Sequence, residues 1–256
     1  MGLTAFHGTG NADAIEARGL DPDCHDRSYT EGDGALRTVG GIYCSSSPAA
    51  AVPFAMRAAA EFCGTASVVV LDVDEADMEA DEDVLGAAAR SNPRYLARGG
   101  AAAFAQHLNR HAPPGEAQIA LARQWLREFR LMQRDADSPE NFDAFADATN
   151  RLTAEFRWPA SMEYCSHRFA GEHTFRIRKP VAVAHGSSRI TAIVDFDTAD
   201  SGLTLTGLGC RFGGIDDDTR EALIGAWADA VEAQGCKPAV AIAGTAWRPA
   251  IAGAWR

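Results

Sequence analysis

FHGT at residues 6–9 and GGIYCSS at residues 40–46 are the two stretches from which the architecture of this chain follows. Each is a short apolar run that ends in small or polar residues, which is typical of a strand that stops at a turn. A helical pattern, NADAIEARGL, follows the first strand and ends at Gly19. After the second strand, Ser47 and Pro48 suit the beginning of another helix. Residues 21–40 are predicted to form a loop.

The rest of the chain continues as a mixture of strands and helices. ASVVVLDVD at 66–74 is continuous and β-branched, which predicts a strand buried on both faces. Residues 77–157 are alanine-rich and helical, and their best helix is GEAQIALARQWLREFRLMQRD at 115–135. Strand patterns return at 161–170, 173–186, 189–198 and 202–212, before a last helix at 216–235. The predicted fold class is therefore α+β.

Composition narrows the class of protein. With 256 residues, 46% of them hydrophobic, the chain can bury a full core without a metal or disulfides. The six cysteines are scattered and form no CxxC pair, and no window is apolar enough for a membrane helix. We therefore expect a cytoplasmic protein that makes no membrane contact. A net charge of −11 argues against bulk electrostatic coating of duplex DNA.

The order of these elements, together with the two quoted stretches, resembles the ADP-ribosyltransferase superfamily. The similar branch carries a histidine, a tyrosine and a glutamate, as in poly(ADP-ribose) polymerases and diphtheria-like toxins. Residues 3–75 carry most of the resemblance, and the order of elements extends it to about 185. The matching residues are Phe6, His7, Gly8, Thr9, Ile15, Gly19, Leu20, Gly41, Ile42, Tyr43, Ser45, Ala50 and Ala55.

The resemblance implies a split mixed β-sheet and a site for NAD, which is consumed as a substrate. His7 would anchor the adenosine ribose, and Gly8, in the strand end that Thr9 completes, would bind the carboxamide. Tyr43 would stack on the nicotinamide ring, and Ser45 would help to orient the ribose. These residue types suit the chemistry, because glycine lets backbone groups approach a ligand and a neutral histidine can bind a hydroxyl.

A carboxylate is needed to stabilise the oxocarbenium-like centre that forms when nicotinamide leaves. Glu163 in SMEYCSHRF is our first choice, since it begins a predicted strand. Glu172 in AGEHTFRIRKP is the alternative, although Gly171 before it indicates an exposed hairpin turn. Ser161 would face the same cleft as Glu163 by strand alternation. The resemblance implies that this position bears on the choice of acceptor.

Other charged groups allow further interpretations. Arg123, Arg127, Arg130 and Arg134 form a stripe, which usually faces solvent but can contact phosphates of NAD or of a nucleic acid acceptor. His107 and His111 are one helical turn apart, but without a third ligand they indicate a helix end rather than a metal site. The acidic run at 72–83 is predicted to be a polar connection.

These observations predict an enzyme of two parts. Residues 1–185 would form an ADP-ribosyltransferase-like domain with a helical insertion at about 77–157, and residues 186–256 a small α+β C-terminal module. We expect transfer of ADP-ribose from NAD to a macromolecular acceptor, with mono-ADP-ribosylation of protein favoured, as in toxins and effectors. The alternatives are transfer to nucleic acid, an RNA 2'-phosphotransferase-like reaction, and a non-catalytic module that binds NAD or a partner. No metal is expected.

Overall fold

The structure, a computed structural model, describes residues 2–23, 39–109, 112–135, 137–156, 174–199 and 202–242. Within these ranges the chain forms a mixed α+β fold of eight strands and eight α-helices, which confirms the predicted fold class at this level. The strands are β1 (Gly2–Thr9), β2 (Ile42–Ser45), β3 (Ser67–Asp74), β4 (Met78–Ala80), β5 (Thr174–Ile177), β6 (Arg189–Thr198), β7 (Thr204–Gly213) and β8 (Ala239–Val240). The helices are α1 (Ala12–Arg18), α2 (Pro48–Phe62), α3 (Glu82–Ser91), α4 (Pro93–Leu96), α5 (Ala101–Leu108), α6 (Glu116–Arg134), α7 (Pro139–Glu155) and α8 (Asp217–Ala233).

All eight strands belong to one sheet in the order β4-β5-β2-β1-β3-β6-β7-β8. Only β7 and β8 pair in parallel among these neighbours. β1 pairs with β3 along its whole length, whereas its register with β2 consists of the single pair Phe6–Ser45. The sheet is therefore weakly joined at the seam between β1 and β2.

Helix α2 lies directly on β1 because glycine removes the side chains that would separate them. A Cβ atom at Gly8 would lie 2.1 Å from the Ala51 carbonyl oxygen, and one at Gly10 would lie 2.6 Å from the backbone of Ala58. The helix begins as predicted, since the Ser47 side chain accepts a hydrogen bond from the backbone N–H of Ala49 at 3.2 Å. This close contact holds the end of β1 in place.

Helices α3 to α7 form a lobe between β4 and β5. The lobe has its own core around Trp125, whose ring stacks on Phe129 with centroids 4.9 Å apart. The indole N–H of Trp125 donates to the Thr149 hydroxyl at 2.9 Å, which satisfies its only polar atom. No helix in the described ranges is long and apolar enough to cross a membrane.

The C-terminal elements are continuous with the first part of the chain. β6 pairs with β3, and β7 extends the same sheet. α8 packs against α2, and its Trp227 is 1% exposed in a core cluster that also holds Phe6 and Val70. Where the structure describes the predicted module at 186–256, its elements therefore share a sheet and a core with β1, β3 and α2.

Candidate functional site

The seam between β1 and β2 brings His7 into contact with Tyr43. The His7 Nδ1 atom lies 2.8 Å from the Tyr43 carbonyl oxygen. Because a carbonyl oxygen only accepts hydrogen bonds, Nδ1 carries the hydrogen and donates it. In the neutral ring, Nε2 is then the acceptor nitrogen. The two residues that the sequence analysis singled out thus meet across 36 positions of sequence.

Their two rings, however, approach the seam from different sides. Phe6 packs with α2, so alternation along β1 turns His7 toward the opposite face of the sheet. Ile42 and Cys44 pack in the cluster on that opposite face, so alternation along β2 places Tyr43 on the α2 side. The structure therefore joins the His7 ring to the Tyr43 backbone and not to the phenol ring.

The small residues beside them have structural partners. Thr9 is 3% exposed, and its hydroxyl accepts a hydrogen bond from the backbone N–H of Asn11 at 3.0 Å. Ser45 is equally buried and donates to the Ser47 carbonyl oxygen at 2.6 Å, which braces the start of α2. The NAD-binding roles expected for Gly8, Thr9 and Ser45 stay predictions.

The hydroxyl group of Tyr43 reaches into a buried pair at the start of α3. It lies 2.9 and 3.0 Å from the two carboxyl oxygens of Glu82, to which it donates when Glu82 is ionised. It also accepts the backbone N–H of Val39 at 3.0 Å. Burial, and then the Glu82 charge, raise the pKa of the Tyr43 phenol, so it stays protonated at neutral pH.

Glu82 is itself unusual, because its side chain is almost fully buried at 2% exposure. Burial, and then the neighbouring Asp81 carboxylate, raise the pKa of Glu82 to about 8, against the opposing charge of Arg176. Asp81 caps α3 by accepting the Val84 backbone N–H at 2.6 Å. Two acids therefore meet where the helical lobe begins, beside the predicted site.

A fully buried arginine completes this cluster. Arg176 pairs with Tyr43 in the ladder between β5 and β2. Its guanidinium donates to the Gly40 carbonyl oxygen at 3.2 Å, to Glu79 at 3.3 Å and to the Thr153 hydroxyl at 2.8 Å. A buried cation needs such partners, because its removal from water costs on the order of several kcal/mol of free energy if nothing replaces the lost hydration. Arg176 thus ties β2, β4 and the lobe together behind Tyr43.

This cluster was not predicted from the sequence, and the prediction of a polar connection at 72–83 is wrong. In the structure the run contains β4 and the start of α3, and it buries Asp77, Asp81 and Glu82. A signal was present, since Met78 and Ala80 alternate with acids, as in a half-buried strand. Asp81 followed by a helical pattern also fits an N-cap.

The two candidate glutamates, Glu163 and Glu172, lie outside the described residues, as do Ser161 and His111. The strand predicted at 161–170 is likewise not described. Glu172 stands two residues before Thr174, the first residue of β5, and Thr174 pairs with Ser45. Among the described residues, no group of three or more potential metal ligands is present.

Most of the arginine stripe lies on the exposed side of α6. Arg123, Arg127 and Arg134 are exposed. Arg127 also forms an ion pair with Glu128, a residue buried in the lobe. Arg130 is half-buried and donates to the Leu96 carbonyl oxygen, which joins α6 to α4.

A pocket elsewhere in the fold holds none of the predicted site residues. It lies between α2, β6 and α8, with Met56, Asp197 and Trp227 in its lining. Comparisons with protein-family models, with curated proteins and with solved structures find no match for this chain. The functional assignment therefore depends on the residues and their geometry.

Proposed function

We propose that this protein is an NAD-dependent ADP-ribosyltransferase that transfers ADP-ribose to a macromolecular acceptor. The main observation in its support is that His7 and Tyr43, which are far apart in sequence, meet at the weakly joined seam of the sheet. The strand order from β1 to β3, with α1 and α2 between, also follows the arrangement that the resemblance implies. We propose with it that the sheet has the split arrangement that the resemblance to this superfamily implies.

In this account the dinucleotide lies along the seam. Because β1 and β2 share only one register pair, backbone N–H and C=O groups along the seam can hydrogen-bond a ligand. Such groups need partners when they are buried. The hydrogen bond from Nδ1 to the Tyr43 carbonyl oxygen holds the His7 ring at the seam, where the resemblance implies that it anchors the adenosine ribose. The Tyr43 hydroxyl is held by Glu82, which fixes the orientation of the phenol ring.

Catalysis in this account requires a carboxylate near the nicotinamide ribose, because positive charge develops there as the glycosidic bond breaks. Glu163 and Glu172 are the candidates. The pairing of β5 with β2 supports the view that the chain just before β5 contributes to this site. Glu82 is not proposed for this role, because its contact with Tyr43 makes it a positioning residue.

Binding of NAD is tested first by calorimetry on four proteins. We expect His7→Ala and Tyr43→Ala to weaken NAD affinity by at least about tenfold, which corresponds to about 1.4 kcal/mol of lost contact. His185→Ala is the control, since His185 is exposed and distant in sequence. Affinity equal to the wild type in both site variants would contradict the proposed pocket.

Turnover is tested separately with Glu163→Gln and Glu172→Gln. The amide keeps the shape of the side chain and removes its charge, so one of the two variants should lose nicotinamide release while it still binds NAD. If both variants release nicotinamide at the wild-type rate, neither residue is the catalytic carboxylate. If NAD binds to the wild type without turnover, the chain is a non-catalytic binding module of the same fold.

A further inference from the structure

The charge of the chain is very unevenly distributed. Between residues 90 and 134 the sequence has eight arginines and only two carboxylates, Glu116 and Glu128, although the whole chain has a net charge of −11. This segment covers the end of α3, α4, α5 and α6. A concentrated basic face on an acidic protein is the electrostatic pattern of a site for a polyanion. The arginines are Arg90, Arg94, Arg98, Arg110, Arg123, Arg127, Arg130 and Arg134.

The fold of the lobe gathers several of these arginines on one surface. Arg130 of α6 bonds the carbonyl oxygen of Leu96 in α4. Because Arg94 and Arg98 stand two residues on either side of Leu96, they flank the same junction. We call the exposed surface made by Arg94, Arg98, Arg123, Arg127 and Arg134 the arginine face.

Along α6 the arginines follow the helix axis. Spacings of four, three and four residues keep all four within about 60° around the helix, over a length of about 16 Å. This row lies opposite the buried side formed by Trp125 and Phe129. Several phosphates of one nucleic acid strand fit along a row of that length, and arginine binds phosphate through paired N–H groups.

Little of this positive charge is neutralised within the described parts of the chain. Arg127 pairs with Glu128, but its own side chain remains 68% exposed. Arg94, Arg98, Arg123 and Arg134 form no ion pair with another described residue. An acidic protein segment would be a weaker match than a nucleic acid, because a polyphosphate backbone presents regularly spaced charges to such a row.

We propose that the arginine face of the helical lobe binds the phosphate backbone of a nucleic acid. The further step, that the bound strand is the acceptor of ADP-ribose, rests on the proposed function. Binding itself does not depend on NAD. In this proposal the acceptor is a nucleic acid, and not a protein as the sequence pattern favours.

Fluorescence anisotropy with labelled RNA and DNA oligonucleotides of about 20 nucleotides, single-stranded and duplex, tests the binding. The test variant is Arg94→Glu/Arg98→Glu/Arg123→Glu, and its matched control is Arg18→Glu/Arg178→Glu/Arg220→Glu, which reverses three exposed arginines outside the lobe. We expect wild type and control to bind at about 50 mM salt, and the lobe variant to bind at least about tenfold more weakly. For single strands the slope of log K against log salt should fall in magnitude by about 2.

Two further measurements keep the result interpretable. Replacing the same three arginines with lysine keeps the charge and should preserve most of the affinity, and melting curves establish that each variant is folded. Equal affinity of the lobe variant and the wild type would overturn the proposal. So would failure of the wild type to bind any oligonucleotide while it binds vesicles of anionic phospholipid.

Failure of the proposed function is distinguishable from failure of this inference. If the oligonucleotide binds and NAD is not consumed, the arginine face stands and the transferase assignment falls. If NAD is consumed and only protein becomes labelled in the presence of bound oligonucleotide, the acceptor step is wrong.

Discussion

Tyr43 shows how a single side chain can join a candidate site to the framework around it. Its carbonyl oxygen accepts from His7, and its hydroxyl contacts Glu82 and Val39. His7 in β1 and Glu82 in α3 are 36 and 39 residues away in sequence, and they meet Tyr43 only through the fold. The orientation of the phenol ring therefore depends on Glu82, an acid buried at the start of the helical lobe.

Glu82 should make stability depend on pH in a defined direction. Burial raises its pKa in the folded protein from the ordinary value of 4.5 to about 8, so between these pH values the folded state holds a proton that the unfolded state has released. The stabilisation from this group is present below about pH 4.5 and is lost as pH rises through about 8. The slope is at most about 1.4 kcal/mol per pH unit.

Glu82→Gln cannot ionise and should remove this component. Urea unfolding at pH 5 and pH 8 is the measurement, and the wild type should lose more free energy of unfolding between the two than the variant. Glu16→Gln, at an exposed position, serves as the control and should follow the wild type. Identical pH profiles for Glu82→Gln and the wild type would exclude a raised pKa at this carboxyl.

At the level of elements, the sequence predicted what depends on local pattern. α2 begins at Pro48, and β6 spans 189–198 as the alternation indicates, because caps and periodicity are local properties. The acidic run was misread because burial of Asp81 and Glu82 depends on Arg176 and Tyr43, which are distant in sequence. The opposite placement of the His7 and Tyr43 rings also depends on register between strands, which no local pattern reports.

The contact between β1 and α2 should be intolerant of even one methyl group. Gly8→Ala would place its Cβ against the backbone of α2, so we expect a loss of about 1–3 kcal/mol in the free energy of unfolding. Gly225→Ala is the matched change, since nothing lies within 4 Å of a Cβ at that position of α8. It should stabilise the helix by about 0.5–1 kcal/mol. Calorimetric melting that gives both variants the same shift would contradict this packing.

For the whole molecule, the main feature is one sheet that runs from β4 to β8 through the N-terminal strands. The separate C-terminal module inferred from sequence looked complete because its strands and helix are consecutive. Which strand β6 would pair with is a tertiary property, and the pairing with β3 joins it to the first part of the chain. The core that contains Trp227 also contains Phe6, so the two parts depend on each other.

Truncation of a side chain in this shared core should therefore destabilise both parts of the protein together. Trp227→Ala removes a side chain that is 1% exposed and should cost about 3–5 kcal/mol. Far-UV circular dichroism and tryptophan fluorescence should both report a single transition in the wild type, shifted together to lower denaturant in the variant. A separate early transition with the second one unchanged would indicate an independent C-terminal module.

The most direct test of the central proposal is release of nicotinamide. The purified protein is incubated with NAD and either a cell lysate or a nucleic acid. The products are then separated and identified by mass spectrometry. The account predicts that nicotinamide appears together with a macromolecule that carries ADP-ribose, and that His7→Ala and Tyr43→Ala reduce both products. NAD that remains intact over hours, with no binding detectable by calorimetry, would contradict it.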